Sequence, residues 1–274
     1  MSTESVRTAS SGDARFTYLE EGAGTPLVLL HGVGSAARSW KHQLSGLSKG
    51  FRVIAWDAPG YGGSSALAAP QPSAEDYASA LRGFLGALGV EQFHLVGHSL
   101  GSVMAARFAR LHPKRILTLT LASIATGHAR LPTAERDRLR AGRLDDLAAL
   151  GPRGMAEKRG ARLVGPTASQ ETIRAVIETM GMVRPDGYTQ AVRMLSDADT
   201  RTDVSELEDG MRVQFIYGDA DAITTPEQNK SVHLERPSAP VHMLPGAGHA
   251  IYLEQPEAFN DLMLRFTTAS STAA

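Results

Sequence analysis

The chain contains no cysteine and no hydrophobic run long enough to span a membrane. The lack of cysteine excludes disulfides, thiolate nucleophiles and sulfur-ligated zinc, and it is typical of proteins in a reducing compartment. A bilayer-spanning helix needs about 18 consecutive apolar residues, and the first residues contain no apolar segment that would serve as a signal peptide. We therefore expect a soluble, cytoplasmic protein that has no membrane partner and uses neither a metal nor a cofactor.

An excess of charge of either sign is also lacking. The 28 Lys and Arg residues are balanced by 29 Asp and Glu residues, so the formal net charge is −1. Proteins that bind nucleic acid or anionic membranes usually carry basic patches or a strong positive charge. The near-zero net charge therefore argues against nucleic acid as a partner and favours a small-molecule substrate. No pattern in the sequence indicates an oligomeric state.

Short apolar runs alternate with helical periods along the 274 residues, of which 42% are hydrophobic. This alternation predicts a doubly wound, mostly parallel α/β sheet with helices on both faces. The runs are continuously apolar, which indicates strands that are buried on both sides. The predicted strands cover residues 26–31, 51–56, 92–97, 115–122, 212–217 and 240–244.

The strand signal vanishes between residues 123 and 208, where helical patterns are separated by Gly and Pro. The predicted helices there cover residues 134–150, 155–163, 170–183 and 187–195. This pattern predicts a helical lid, residues 123–208, inserted between two sheet strands of a core formed by residues 16–122 and 209–268. Residues 1–15 are rich in Ser, Thr and Ala and are predicted to form a disordered tail.

Residues 97–101, G-H-S-L-G, match the pattern G-x-S-x-G. The motif follows a predicted strand and precedes a predicted helix, residues 102–111, which is the strand, turn and helix order of a nucleophile elbow. The flanking glycines let the chain turn abruptly around the serine. Ser99 is therefore the candidate nucleophile, and the alternative is a structural serine in a tight turn.

A serine hydroxyl becomes an effective nucleophile only when a base lies within hydrogen-bond reach and an acid orients that base. Asp221 follows the predicted strand that ends at residue 217, and His249 follows the last predicted strand. The carboxyl ends of parallel strands lie along one edge of a sheet, so both loops should meet Ser99 there. The chain order Ser, Asp, His is the one that this fold requires. Asp219 competes with Asp221 for the acid role.

A tetrahedral intermediate also needs hydrogen-bond donors directed at its oxyanion. The Gly-rich loop at residues 31–34 follows the first predicted parallel strand, so the backbone N–H groups of Val33 and Leu100 are the candidate donors. Four side chains are candidates for substrate binding, with buried core or solvated surface as the alternative for each: Trp40, His128, Arg130 and Tyr252.

The sequence resembles the α/β-hydrolase superfamily, and within it the lid-bearing esterases, enol-lactone hydrolases and carbon–carbon bond hydrolases. The resemblance lies in five blocks: L-L-H-G-V-G at 29–34, W-D-A-P-G-Y-G-G-S at 56–64, G-H-S-L-G at 97–101, Y-G-D-A-D at 217–221 and G-A-G-H at 246–249. In such proteins the acid usually sits three residues after the glycine of the Y-G-x-x-D block, which favours Asp221 over Asp219.

The resemblance implies a serine hydrolase that cleaves a small carboxylic ester or (enol-)lactone through a Ser-His-Asp triad and an acyl-enzyme. Hydrolysis of a carbon–carbon bond in a β-diketone or ring-cleavage product is the alternative. Carbon–carbon hydrolases more often have a glycine pair after the nucleophile, where this chain has Leu100, Gly101 and Ser102. A non-catalytic ligand-binding protein on the same scaffold is a third hypothesis.

Overall fold

The computed structural model describes residues 5–269 and contains an eight-stranded sheet. Its strands are β1 (Arg7–Ser11), β2 (Ala14–Glu21), β3 (Pro26–Leu30), β4 (Arg52–Trp56), β5 (Phe93–His98), β6 (Ile116–Ala122), β7 (Val213–Gly218) and β8 (Val241–Leu244). They lie in the order β1-β2-β4-β3-β5-β6-β7-β8, and β3 to β8 pair in parallel. The predicted α/β fold class is confirmed, and each of the six predicted strands is present.

Ten α-helices are present in the described part of the chain. They are α1 (Lys41–Leu47), α2 (Ala74–Ala87), α3 (Leu100–Leu111), α4 (Thr133–Arg159), α5 (Gln170–Met180), α6 (Pro185–Asp197), α7 (Thr200–Ser205), α8 (Pro226–His233), α9 (Ile251–Glu254) and α10 (Pro256–Thr268). None of the helices within residues 5–269 is long and apolar enough to cross a membrane.

The core lies on both faces of the sheet, because successive residues of a strand point to opposite sides. Val28 and Leu30 belong to a cluster that includes the buried side chains of α2 and α3. Leu27 and Leu29 belong to a second cluster with the buried side chains of α1 and α10. All four strand residues are fully buried, which explains why the strand reads as a continuous apolar run.

The first fifteen residues differ from the prediction of a disordered tail. Residues 1–4 lie outside the described part of the chain, but β1 and β2 form an antiparallel hairpin with Arg7 opposite Tyr18 and Ser11 opposite Ala14. The sheet therefore begins at Arg7. Most of the β1 side chains are exposed, so this edge strand is held by backbone pairing and has no apolar pattern that would reveal it.

Helices α4 to α7 lie between β6 and β7 along the chain, where the sequence predicts a helical insertion. The long helix α4 is interrupted at Gly151, which has φ of 64° and precedes Pro152. The positive φ favours glycine, and proline removes a backbone donor, so the break falls where the Gly-Pro pair predicts it. The insertion places several apolar side chains over the carboxyl ends of the strands.

Candidate active site

Ser99 lies in the sharp turn between β5 and α3, with φ of 54° and ψ of −117°. Such strained angles persist where the surrounding structure fixes them, and they concentrate at functional sites. A Cβ atom at Gly97 would lie 2.3 Å from the Gly101 carbonyl oxygen, and one at Gly101 would lie 2.2 Å from the Leu30 carbonyl oxygen. The turn therefore requires both glycines of the G-x-S-x-G motif, and it holds Ser99 at the carboxyl edge of the sheet.

His249 and Asp221 form a buried pair, with 2.8 Å between the histidine Nδ1 and the carboxylate Oδ2. The other carboxylate oxygen, Oδ1, accepts the backbone N–H groups of Ile223 and Thr224 at 2.8 and 2.9 Å. Burial opposes ionisation of Asp221, but the His249 ring and these donors outweigh it and lower the pKa of Asp221 to about 2. The carboxylate is therefore ionised at neutral pH and fixes the orientation of the imidazole.

Asp219, the rival candidate for the acid, has a different role. Its side chain is exposed, and its Oδ1 accepts the backbone N–H of Gly246 at 2.6 Å. This hydrogen bond ties the loop after β7 to the loop after β8. The structure thus brings Asp221 to His249 and leaves Asp219 as a link between the two loops.

Ser99 and His249 line the same cavity, which has a volume of about 270 Å³. Thr224 lies in the same wall and its hydroxyl is 2.9 Å from Asp221 Oδ2 and 3.2 Å from His249 Nδ1. Side chains of the helical insertion also line this cavity, among them Val176, Met180, Tyr188 and Leu195. Within residues 5–269, no group of three His, Cys, Asp or Glu side chains is arranged to hold a metal ion.

The four predicted substrate-binding residues divide into two pairs. His128 and Tyr252 line the cavity. Trp40 is fully buried behind the wall, where its ring stacks on Tyr252 with 4.1 Å between ring centroids. Arg130 lies on the surface and binds Asp199 at 2.8 Å. Trp40 supports the wall indirectly, and Arg130 is held away from the cavity by its own carboxylate partner, so neither fits the predicted contact with substrate.

The backbone N–H groups of Val33 and Leu100 stand beside the cavity that contains Ser99, since Val33 lines it and Leu100 is the first residue of α3. Neither N–H donates a hydrogen bond to another of the described residues. Most buried backbone donors have partners, and a helix N-terminus favours negative charge. Both free donors are therefore suited to a developing oxyanion.

Two buried aromatic side chains hold the loop that contains Val33. The Tyr61 hydroxyl donates to the Val33 carbonyl oxygen at 2.8 Å, and His31 Nδ1 donates to the Gly32 carbonyl oxygen at 2.8 Å. His31 Nε2 accepts the N–H of Ala58 at 3.0 Å, which requires a neutral ring. Burial lowers the pKa of His31 accordingly. Tyr61 and His31 come from blocks of the family resemblance, yet nothing in their spacing predicts these contacts.

His98, which precedes Ser99 in the sequence, also contacts His249. Its Nε2 donates to the backbone carbonyl oxygen of His249 at 2.8 Å, and its ring packs against Trp40, Tyr252 and His249. Burial and the neighbouring His249 lower the pKa of His98 to about 3. His98 is therefore a neutral donor that positions the His249 backbone.

We expect His98 to make folding sensitive to acid. Between pH 6.5 and about 3 the unfolded chain binds a proton at this histidine and the folded chain does not, so the free energy of unfolding falls as the pH falls. Glutamine at this position retains a donor but does not titrate. The difference in unfolding free energy between wild type and His98→Gln should change by about 1.4 kcal/mol per pH unit between pH 6 and 4. Urea unfolding measures it, and parallel pH curves for the two proteins would contradict the assignment.

Glu254 is a further residue that the sequence reasoning missed. Its carboxylate accepts the N–H of Gly165 at 2.7 Å and the N–H of Gly248 at 3.1 Å, so it links the helical insertion to the loop that carries His249. Burial raises the pKa of Glu254, although the two backbone donors oppose the shift. A carboxylate directly after the apolar Ile251–Leu253 segment is the only sequence signal for this role.

Comparison with known proteins identifies the fold family of the chain. Residues 25–256 match the family model described as alpha/beta hydrolase fold. The chain is 29% identical over 252 residues to the (E)-2-((N-methylformamido)methylene)succinate hydrolase of Acinetobacter baylyi, covering 90% of this chain and 91% of that protein. It is 25% identical to a thermophilic esterase from Thermogutta terrifontis, whose solved structure superposes with a TM-score of 0.85 over 97% of this chain and 100% of that chain.

A third relative is longer than this chain. The dihydrolipoyllysine-residue acetyltransferase component of the acetoin cleaving system of Pseudomonas putida is 30% identical over 250 residues, which cover 89% of this chain and 63% of that protein. This chain therefore spans less than two thirds of that relative. The family model covers most of the sheet and both loops that carry the Asp221–His249 pair, and the chain belongs to the α/β-hydrolase fold family.

Proposed function

We propose that the protein is a serine hydrolase that cleaves a small carboxylic ester or (enol-)lactone through Ser99, His249 and Asp221. The observation that carries the proposal is the 2.8 Å contact between the ionised Asp221 and His249, which lines the same cavity as Ser99. The strained backbone of Ser99 adds to it, because the fold maintains an unfavourable conformation at the residue that would attack.

In the proposed reaction each of these groups has one role. The Ser99 Oγ attacks the substrate carbonyl carbon while His249 Nε2 takes the hydroxyl proton, and the N–H groups of Val33 and Leu100 bind the resulting oxyanion. His249 then gives the proton to the leaving alcohol, and an acyl-enzyme remains on Ser99. Water, deprotonated by His249, attacks the acyl carbon, and the acid product and free Ser99 are released. Asp221 holds the proton on His249 Nδ1 throughout.

The cavity sets the size of the acyl group. Its volume of about 270 Å³ is below the range of roughly 300–1,000 Å³ that is usual for sites of drug-sized ligands. Met180 and Leu195 present apolar surface from the helical insertion, so this insertion acts as a lid in the proposal. Short acyl chains and small lactones fit these features, and the likeness to an esterase at 25% identity supports ester hydrolysis.

A substrate panel with an active-site probe tests the proposal. The values of kcat/KM for short esters, enol-lactones and β-diketones are compared, and a fluorophosphonate probe is tested for one-to-one labelling that stops turnover. We expect labelling at Ser99 and a preference for esters or lactones. Preference for the diketones would instead favour carbon–carbon hydrolysis, and a well-folded protein that neither labels nor turns over would favour a ligand-binding role.

A further inference from the structure

Helix α4 contains six arginines, and five of them are within ion-pair distance of a carboxylate. The paired residues are Arg136, Arg138, Arg140, Arg153 and Arg159. The sixth, Arg143, is half-buried and lines the cavity that contains Ser99. Its guanidinium has no carboxylate or hydrogen-bond partner among the described residues. Two arginines of this helix line the cavity, Arg143 and Arg159, and of these Arg143 is the one that has no carboxylate partner among residues 5–269.

His128 lies in the same cavity wall and adds a second unused polar atom. Its Nδ1 is buried and has no partner among residues 5–269. Burial lowers the pKa of His128, and the positive charge of Arg143 lowers it further while Glu135 opposes the shift. At neutral pH the ring is therefore an uncharged donor or acceptor, close enough to Arg143 to respond to its charge.

The charged side chains that line the cavity are all positive. Three arginines line it, Arg143, Arg159 and Arg162, and of these Arg159 is bound to Asp146. No Asp or Glu is among the described residues that line the cavity. A half-buried guanidinium gains most from an anion that accepts its planar pair of N–H donors, and a carboxylate matches that geometry.

We propose that Arg143, with His128 beside it, binds a carboxylate group of the substrate, so that the enzyme acts on the ester or lactone of a dicarboxylic acid. The inference rests on the proposed hydrolysis at Ser99 and names its substrate class. One carboxyl carbon reacts at Ser99, and the second carboxylate pairs with Arg143 elsewhere in the same cavity. Neutral acyl groups of the same shape leave the guanidinium without a partner.

The test compares acid and amide versions of one substrate. The monoethyl esters of succinic, glutaric and adipic acid are each paired with the ester in which the free carboxylate is replaced by a neutral carboxamide. The ratio of kcat/KM for acid over amide is measured in wild type, in Arg143→Gln and in Arg140→Gln. Arg140 is the matched control, because it lies one turn earlier on α4, binds Asp137 and does not line the cavity.

The free energy of a charge-assisted hydrogen bond sets the expected change in the acid-to-amide ratio. We expect Arg143→Gln to lower the ratio by about 10- to 100-fold for the best chain length, mainly through KM, and Arg140→Gln to leave it as in wild type. His128→Phe should lower the ratio by a smaller factor, because the charge of Arg143 remains. An unchanged ratio in Arg143→Gln, or an equal fall in Arg140→Gln, would overturn the proposal.

Binding of the free dicarboxylates, measured by calorimetry, separates this proposal from the hydrolysis on which it rests. Weaker binding to Arg143→Gln than to wild type, together with no turnover of any ester, would refute the hydrolysis and leave the carboxylate site standing. Turnover of the esters with no dependence on Arg143 in either assay would refute the carboxylate site and leave the hydrolysis standing.

Discussion

Replacing Ser99 by alanine is expected to lower kcat by about 10⁶-fold, because the attacking oxygen is removed and no acyl-enzyme forms. The residual rate would come from substrate binding and the oxyanion donors, acting on water. Ser99 makes no side-chain hydrogen bond to another described residue, so the loss of the hydroxyl should leave the stability close to that of wild type. Steady-state turnover and thermal unfolding of the same preparation measure both expectations.

Ser123 provides a matched control for this substitution. It is fully buried, follows β6 in the sheet as Ser99 follows the adjacent β5, and its hydroxyl has no partner in the described part of the chain. Ser123→Ala removes the same atom but should retain turnover and full labelling by a fluorophosphonate. Near-normal turnover in a folded Ser99→Ala protein, free of wild type, would show that another residue is the nucleophile.

The sequence alone predicts the parts of the fold that carry a strong apolar signal. Strands such as β3 and β5 are buried on both faces and show continuous apolar runs, so all six central strands are predicted. Strand β1, at the edge of the sheet, has no such apolar run. Arg7–Ser11 is mostly exposed and is held by backbone hydrogen bonds to β2. Backbone hydrogen bonds do not require particular side chains, so the sequence of this strand does not predict them.

Some residues of the candidate site are also predictable from the sequence and others are not. Ser99, Asp221 and His249 are predictable because each follows a strand, and parallel strands place such residues along one edge. The choice between Asp219 and Asp221 rests in the sequence on the family resemblance, and in the structure on one hydrogen bond for each. Arg143 is not predictable, because helix α4 contains six arginines and only the tertiary packing determines which one lacks a carboxylate.

Replacement of Asp221 by asparagine is expected to lower kcat by about 10⁴-fold while the protein stays folded. In wild type, Oδ1 of Asp221 accepts the N–H groups of Ile223 and Thr224, and Oδ2 faces His249 Nδ1. The asparagine oxygen should retain the first position, because the reverse orientation would place the NH₂ group against two backbone donors. The NH₂ group then faces His249 and donates to Nδ1.

This orientation forces the histidine proton onto Nε2, so the nitrogen that must accept the Ser99 proton is already protonated. The loss therefore arises from the wrong tautomer, and it should appear in kcat with little change in the binding of a substrate analogue. Asp219→Asn is the matched control, since its amide oxygen still accepts the N–H of Gly246, and its kcat should stay within about tenfold of wild type. If Asp219→Asn instead loses about 10⁴-fold and Asp221→Asn does not, the acid of the triad is Asp219 and the observed pair of His249 and Asp221 is structural.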